Sequence, residues 1–364
     1  MRLVRILVAA ILIVAPLATH VAPAAATGTL GPPVVVWAED PPHTGFDSAV
    51  DDRAVVHGFV GEDPCYPNPR ECTGTARISY VESWRGRWRS EATPYVGSVL
   101  AVAVDRTGTY LLYRGSGGLR ITKRTSSGAY TAGHLIDAAG AFFGDVMARD
   151  GRWWAVWSHA AGPEPSSQWD LYQAKTMGTA TPTQRITNTP VTEYEVTITP
   201  RPGGGATLFW SRETTAPDNV DLWSAVSSDG AWQSRVFASD GGQNRSPDAY
   251  TAGTGTYVAW LRDRTTVEAD YRGAWRTREI PGQPAGTATY IAAPHVHASN
   301  GRTFVAFVDQ TQHCRLAERY LGAWRLGYAM DVNHECGLVD VTSWNGYATV
   351  LVDVRGDVYA RSQA

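Results

Sequence analysis

The amino-acid sequence predicts an all-β fold: a seven-bladed β-propeller of four-stranded antiparallel blades, with the ring closed by an N-terminal strand that pairs in the last blade. A short apolar strand recurs seven times along the 364 residues at spacings of 43 to 55 residues, a range typical of propeller blades. After residue 26, no segment of useful length has helical periodicity. The chain also contains 36 glycines and 21 prolines, which suits many short strands joined by turns.

Each repeat is built around the same central strand. The seven copies are AVVHGFV (54–60), TYLLYRG (109–115), RWWAVWS (152–158), ATLFWSR (206–212), TYVAWLR (256–262), RTFVAFV (302–308) and YATVLVD (347–353). An apolar strand precedes each copy across a turn rich in Gly, Asn or Asp, and two further strands follow, the last opening on GAW or a relative of it. Alternating β-branched and aromatic residues between turn residues predict short antiparallel strands.

These repeats predict a single domain over residues 27–364. We expect its blades at about 46–94, 97–137, 144–187, 194–238, 246–280, 293–330 and 338–364. The seventh copy lacks a fourth strand, whereas PPVVVWAED (32–40) precedes the first repeat as a spare strand. Because an unpaired strand edge invites mispairing, we expect residues 32–40 to complete the seventh blade.

The first 26 residues have the order of a secretory signal: two arginines, an apolar run and the small-residue stretch Ala24–Ala26. The apolar run is shorter than the roughly 20 residues that span a bilayer, and no later segment is apolar enough. We therefore expect a secreted, extracellular protein without a membrane span, and a monomer. A formal net charge of -3 without basic runs argues against a nucleic-acid partner.

Four cysteines suit an oxidising compartment. Cys65 and Cys72 enclose only six residues, which favours a local disulfide and leaves Cys314 to pair with Cys336. Three pairings are formally possible. A zinc site is less favoured because the sequence has no CxxC motif.

The two faces of the predicted disc differ in their connections. The turns that join strand one to strand two and strand three to strand four of each blade lie on one face, the short-turn face. The loops from strand two to strand three and from one blade to the next lie on the other, the long-loop face, and these loops vary most in length. Such loops on a rigid ring carry most binding residues. We predict Trp169 and Tyr66, both in variable loops, as ligand contacts. Trp157, Trp210 and Trp260 recur at one strand position and are expected to pack between blades.

Acidic residues recur at one position of the innermost strand when the blades are compared. The position lies ten residues before the centre of the second strand, and four of the five blades compared have Asp there, the other His. The positions are Asp47, Asp145, Asp248, His295 and Asp340. Blade four can place Glu195 there if its turn is longer, and blade two offers Ala101 or Ser98. We expect these side chains at the mouth of the central channel on the long-loop face.

Three interpretations of this acidic ring are open. Each Asp could cap a turn through backbone N–H groups. Asp145, Asp248 and Asp340 could bind a cation, with calcium suited to oxygen ligands. A pair drawn from Asp47, Asp145, Glu195, Asp248 and Asp340 could instead perform glycoside hydrolysis, which needs two acids of different pKa.

Two histidines extend this set. His295 and His297 alternate in PHVHAS and therefore point the same way. That spacing suits either metal chelation or a polar channel lining, and both are ligand-binding candidates.

The stretch SSDGAW (227–232) resembles a shortened Ser-x-Asp-x-Gly-x-x-Trp box of the sialidase-like propellers, which occupies the same turn. The resemblance implies the propeller fold, and the other copies keep only part of the box. It does not carry over the activity, because the box is structural. Sialidases have six blades and use three arginines with a Tyr–Glu pair, a set not found at the predicted inner-strand positions.

These observations predict a secreted propeller that binds an extracellular glycan or protein through its long-loop face, with a cation in the channel. The alternative function is a carbohydrate-active enzyme, a glycoside hydrolase or lyase, and a third is a structural module of the cell surface. Binding is favoured because no complete catalytic constellation is recognisable in the sequence.

Overall fold

The computed structural model describes residues 30–38, 43–62, 76–84, 87–139, 141–160, 168–178, 181–216, 219–229, 231–263, 265–271, 274–281, 283, 293–329 and 336–363. The predicted signal segment, Cys65, Cys72 and Tyr66 lie outside these ranges. The described residues are all-β, and none of them belongs to a helix long and apolar enough to cross a membrane.

The described strands follow one another in chain order. They are β1 (Val34–Trp37), β2 (His43–Val50), β3 (Val56–Glu62), β4 (Arg77–Trp84), β5 (Arg87–Val96), β6 (Ser98–Asp105), β7 (Gly108–Gly115), β8 (Gly118–Thr125), β9 (His134–Asp137), β10 (Phe143–Arg149), β11 (Arg152–Ala160), β12 (Trp169–Lys175), β13 (Thr181–Arg185), β14 (Glu193–Pro200), β15 (Ala206–Glu213), β16 (Val220–Ser227), β17 (Gln233–Ala238), β18 (Asn244–Ala252), β19 (Gly255–Arg262), β20 (Thr265–Tyr271), β21 (Trp275–Glu279), β22 (His295–Ser299), β23 (Arg302–Val308), β24 (Cys314–Tyr320), β25 (Ala323–Tyr328), β26 (Val339–Trp344), β27 (Tyr347–Val354) and β28 (Asp357–Ser362).

These strands form seven four-stranded antiparallel sheets. Six sheets take four consecutive strands each, starting at β2, β6, β10, β14, β18 and β22, and the seventh has the order β1-β28-β27-β26. The innermost strands contact one another around the ring. They are β2, β6, β10, β14, β18, β22 and β26, and the contact between β2 and β26 completes the circle. The predicted seven-bladed propeller is therefore confirmed, and the sheets are blades 1 to 7 in that order.

The N-terminal strand closes the ring, as the sequence predicts. β1 pairs antiparallel with β28, with Val35 opposite Tyr359. The Arg361 guanidinium donates hydrogen bonds to the carbonyls of Gly31 at 2.7 Å and Leu30 at 3.1 Å. Trp37 is 4% exposed at the joint between blades 7 and 1, so the closing strand contributes core as well as an edge.

Tight turns set the strand register on the short-turn face. In the turns Asp150–Gly151 and Asn300–Gly301 both residues have positive φ, 53° and 80° in the first and 46° and 75° in the second. This is the type I′ pattern, whose twist matches that of antiparallel strands and which favours Asp-Gly and Asn-Gly. The turn residues that delimit the repeats in sequence thus determine the hairpins.

The apolar core lies between blades. The three tryptophans predicted to pack there are at most 1% exposed, and each indole N–H meets a buried acceptor: Trp157 with Asp137 at 2.7 Å, Trp210 with Glu193 at 3.3 Å and Trp260 with Asn244 at 3.1 Å. The GAW tryptophans lie further out. Trp232 packs on Trp154 of the preceding blade with 5.2 Å between ring centroids.

A disulfide joins Cys314 to Cys336, with 5.4 Å between their Cα atoms. It links the start of β24 to the segment that enters blade 7, on the long-loop face. The predicted pairing of these two cysteines is confirmed, and a disulfide is compatible with an extracellular protein.

Candidate ligand-binding site

The acidic residues predicted from the ten-residue offset converge on the axis of the propeller. A cavity of about 280 Å³ is lined by Asp47, Asp145, Asp248, His295 and Asp340, which we call the acidic ring. Residues nearer the end of each first strand, such as Val50, Ala148 and Thr251, line the same cavity. The ring therefore lies toward the long-loop end, and the cavity extends from it toward the short-turn face.

Three of the four carboxylates connect neighbouring blades. Their Oδ2 atoms accept hydrogen bonds from backbone N–H groups of the next first strand: Asp47 from Val102 at 2.5 Å, Asp145 from Ile198 at 2.7 Å and Asp248 from Val296 at 2.6 Å. In the capping interpretation, each Asp accepts hydrogen bonds from backbone N–H groups of its own turn. The donors are backbone N–H groups, but they belong to the next blade. These acids therefore have a structural role at alternate joints of the ring.

Asp340 makes a different connection. Its Oδ2 accepts a hydrogen bond from the Ser48 hydroxyl of blade 1, and its Oδ1 accepts one from the Val341 N–H at 2.6 Å. The Nδ1 atom of His295 lies 3.4 Å from Asp340 Oδ1 and 4.0 Å from Asp248 Oδ2. The imidazole is thus placed between two carboxylates.

Burial raises the pKa of Asp47, Asp145 and Asp248. The pKa of Asp47 lies well above its ordinary value, because the group is buried and because Asp340 and Asp145 repel its charge. Burial raises the pKa of Asp145 to about 6, against the hydrogen bonds from Ile198 and Thr197. Burial also raises the pKa of Asp248, while His295 opposes the shift. Such a cluster favours a bound proton or cation.

A metal-compatible group forms on one side of the ring. Asp47, His295 and Asp340 each offer one ligand atom, and these atoms lie within 4.8 Å of one another. The sequence pointed to Asp145, Asp248 and Asp340 instead. Asp145 and Asp248 are not part of this close group. A ligand set with an imidazole nitrogen suits zinc or manganese better than calcium, which prefers oxygen.

The structure corrects the predicted position of Glu195. Thr197 takes the ring position opposite Phe209, and Glu195 lies two residues earlier, in a bulge between Tyr194 and Thr197. Glu195 has a φ of 52°, and its Oε2 accepts hydrogen bonds from Ser211 at 2.8 Å and from the Ser246 N–H at 2.6 Å. It therefore joins blades 4 and 5 outside the group that lines the channel.

His295 and His297 have different surroundings although they share a strand face. His297 is 6% exposed, and its ring packs on Tyr250 with 3.5 Å between centroids. Its Nδ1 accepts the Ser343 N–H at 3.1 Å, and burial lowers its pKa to about 3. It is a neutral packing residue between blades 5, 6 and 7, whereas His295 faces the ring.

Aromatic side chains form a partly exposed platform on the long-loop face of blade 3, at the starts of β10 and β12. Trp169 stacks on Phe142 with 4.9 Å between ring centroids and lies 6.1 Å from Phe143. Phe142 is 59% exposed and Phe143 39%. The Arg114 guanidinium lies 5.2 Å from the Phe142 ring centre. We call Phe142, Phe143 and Trp169 the aromatic platform.

Sequence reasoning identified Trp169 and missed its two partners. The available signal was the pair Phe142–Phe143, two consecutive aromatics where the chain enters β10, just before Asp145. Large apolar side chains are unusual at such a position, and their exposure marks an interaction surface.

A tyrosine and a glutamate do meet in this structure, away from the channel. Tyr80 donates a hydrogen bond to Glu82 at 2.8 Å, but it is only 1% exposed. Burial, together with the nearby Glu82 carboxylate, raises the pKa of Tyr80. The phenol therefore stays protonated and is a structural donor instead of a nucleophile.

Neither protein-family models nor curated protein sequences match this chain. Solved structures share its fold. A protein of unknown function from Dyadobacter fermentans has a TM-score of 0.55 at 10% identity, covering 91% of this chain and 97% of that one. The polysaccharide lyase Uly1 has a TM-score of 0.51 at 10% identity, covering 84% and 88%. A neuraminidase-like protein from a little yellow-shouldered bat isolate has a TM-score of 0.50 at 10% identity, covering 73% and 92%.

The resemblance to sialidase-like propellers is confirmed at the level of the fold. Identities this low carry the architecture and no activity.

Proposed function

We propose that this protein is a secreted propeller that binds an extracellular glycan through the long-loop face. The observation that carries the proposal is the stack of the exposed Phe142 on the half-buried Trp169 on the long-loop face, where the chain enters the first strand of blade 3. The flat face of a sugar ring packs on such aromatics, while its hydroxyls need hydrogen-bond partners that carboxylates supply.

The surroundings of the platform suit this ligand class. The Arg114 guanidinium stands over Phe142, and Arg245 lies 5.8 Å from the Tyr194 ring centre on the same face. These cations add donors around an apolar surface, which is the usual composition of a site that orients a polar ligand. The signal segment predicted at residues 1–26 and the Cys314–Cys336 disulfide support an extracellular location.

Binding has more support than catalysis. A general acid must give its proton to the substrate, but both Asp145 oxygens accept hydrogen bonds from blades 3 and 4. Asp47 and Asp248 are likewise engaged with backbone N–H groups. Two solved structures of the same fold are a polysaccharide lyase and a neuraminidase-like protein, but this likeness supports only the scaffold.

The cation in the channel belongs to the same proposal. Asp47, His295 and Asp340 would hold it, and it would neutralise the repulsion by Asp340 that helps to raise the pKa of Asp47. The ion would stabilise the ring next to the glycan surface.

The proposal is tested by a glycan array with the purified mature chain and two variants. We expect one class of glycan to bind the wild type and to lose at least about tenfold in affinity in Phe142→Ala/Trp169→Ala, since each aromatic contributes on the order of 1 kcal/mol. Trp344→Ala is the matched control, because Trp344 is 44% exposed on the short-turn face. Glycan binding that is unaffected by the platform variant would contradict the proposal, as would a protein ligand as the only partner captured.

A further inference from the structure

A second cleft opens between blades 1 and 2 on the short-turn face. Its volume is about 760 Å³, larger than that of the central cavity. Its walls come from four short turns, around residues 51–55, 87–89, 105–108 and 125–128. The proposed glycan site on the opposite face uses none of them.

The cleft is positively charged within an acidic protein. Five arginines line it against three carboxylates, although the chain as a whole has a formal net charge of -3. The charged lining residues are Arg53, Arg87, Arg89, Arg106, Arg124, Asp51, Glu82 and Asp105. An excess of cations in a concave, partly buried surface attracts anionic ligands.

Acidic neighbours hold the guanidinium groups of Arg89 and Arg124 in place, as the buried Asp51 does for Arg53. Glu82 accepts a hydrogen bond from Arg89 at 2.7 Å and is itself fixed by the Tyr80 hydroxyl. Arg124, whose side chain is 11% exposed, stacks 4.3 Å from the Tyr80 ring centre and donates to Glu91 at 2.8 Å. The floor of the cleft is therefore ordered before a ligand arrives, which lowers the entropy cost of binding.

The arginines at the rim keep free donors. An arginine has five N–H groups. Arg106 uses one toward Asp150 at 2.7 Å. Within the described part of the chain, the exposed Arg87 has no acidic partner. Arg87 and Arg106 line the cleft together with the hydroxyls of the Thr125–Ser127 turn.

We propose that this cleft binds an anionic saccharide through its carboxylate or sulfate groups. The planar guanidinium fork matches the oxygen pairs of both groups. The turn hydroxyls supply hydrogen-bond partners for the sugar ring. The volume is within the range of small-ligand sites and has room for more than one sugar ring. The proposal is independent of the glycan site on the long-loop face.

Three tetrasaccharide probes test it by calorimetry: tetragalacturonate, which carries carboxylates alone, a heparin-derived tetrasaccharide, which carries sulfates as well, and neutral maltotetraose. The variant Arg87→Gln/Arg106→Gln removes two rim cations. The matched control Arg276→Gln/Arg325→Gln removes two exposed arginines from the outer strands β21 and β25. Hydrogen exchange at residues 125–129 locates the ligand independently of the variants.

We expect at least one anionic probe to bind at least about tenfold tighter than maltotetraose, and the rim variant to lose at least about tenfold of that affinity while the control keeps it. The ligand should also slow exchange at residues 125–129, and Phe142→Ala/Trp169→Ala should bind it normally. Equal affinity for neutral and anionic probes would overturn the proposal. Equal losses in both arginine variants would do the same, since they would indicate a general charge effect.

Discussion

The Asp47 carboxylate of blade 1 accepts a hydrogen bond from the Val102 backbone N–H of blade 2 at 2.5 Å. Asp145 and Asp248 repeat this arrangement between blades 3 and 4 and between blades 5 and 6. The donor in each case is a first-strand backbone group that would otherwise lack a partner in the joint. The acids that attract attention as candidate catalysts therefore connect the blades.

This connection predicts a stability difference between two substitutions at one position. Asp47→Ala leaves the Val102 N–H unpaired and should lower the free energy of unfolding by about 1–3 kcal/mol. Asp47→Asn keeps an acceptor oxygen and should cost less. Urea denaturation of both variants measures the difference, with the exposed Asp52→Ala as control. A cost for Asp47→Ala no greater than that of the control would contradict the structural role.

The raised pKa of Asp145 predicts how stability changes with pH. Its pKa is about 6 in the folded protein, above the ordinary value of 3.8, because the group is buried. The folded state therefore binds this proton more tightly than the unfolded state. The resulting stabilisation is complete below the ordinary pKa and is lost as the pH rises through about 6.

Asp145→Asn should remove that dependence. We expect the melting temperature of the variant, relative to wild type, to be higher at about pH 7.5 than at about pH 4.5. Asp52→Asn serves as the control, since Asp52 is exposed. A difference between Asp145→Asn and wild type that stays constant over this range would show that burial does not shift the titration of Asp145.

The repeat pattern was sufficient to predict the fold, because each blade repeats the same strand order and the same turn chemistry. It also located the acidic ring, since residues at one offset from equivalent strands lie at one height on the axis. The offset failed at Glu195, because the longer turn of blade 4 moves the ring position by only one residue, to Thr197 opposite Phe209, where blade 5 has Asp248 opposite Ala259.

The aromatic platform and the arginine-lined cleft were less predictable for a different reason. Arg53, Arg87 and Arg106 belong to three separate turns, and they share a surface only after blades 1 and 2 have packed. Similarly, Phe142 and Trp169 come from different loops of blade 3. Contacts between turns depend on packing geometry, whereas a repeat pattern in sequence reports mainly what each blade has in common.

Metal binding in the channel should raise thermal stability in a residue-specific way. If Asp47, His295 and Asp340 hold a cation, zinc or manganese at 100 times its dissociation constant should stabilise the fold by about 2.7 kcal/mol. Calcium should have a smaller effect. The shift is measured by calorimetry and should disappear in His295→Ala while persisting in Asp145→Asn. An equal shift in His295→Ala would place the ion elsewhere.

Closure of the ring by β1 predicts that Trp37 is critical for stability. Trp37 is 4% exposed between blades 7 and 1, so Trp37→Ala should lower the free energy of unfolding by about 3–5 kcal/mol. Val35 lies on the same strand but is 51% exposed, and Val35→Ala should cost under about 1 kcal/mol. Similar costs for the two variants would argue against a closing strand that belongs to the core.

The central claim, glycan binding at the aromatic platform, is tested most directly by the indole resonances of the ¹⁵N-labelled protein. The Trp169 N–H signal, assigned with Trp169→Phe, is followed during titration with the glycan that the array selects. We predict a saturable shift of the Trp169 signal while that of Trp344, on the opposite face, stays unchanged. Saturable glycan binding that leaves the Trp169 signal in place would contradict the account.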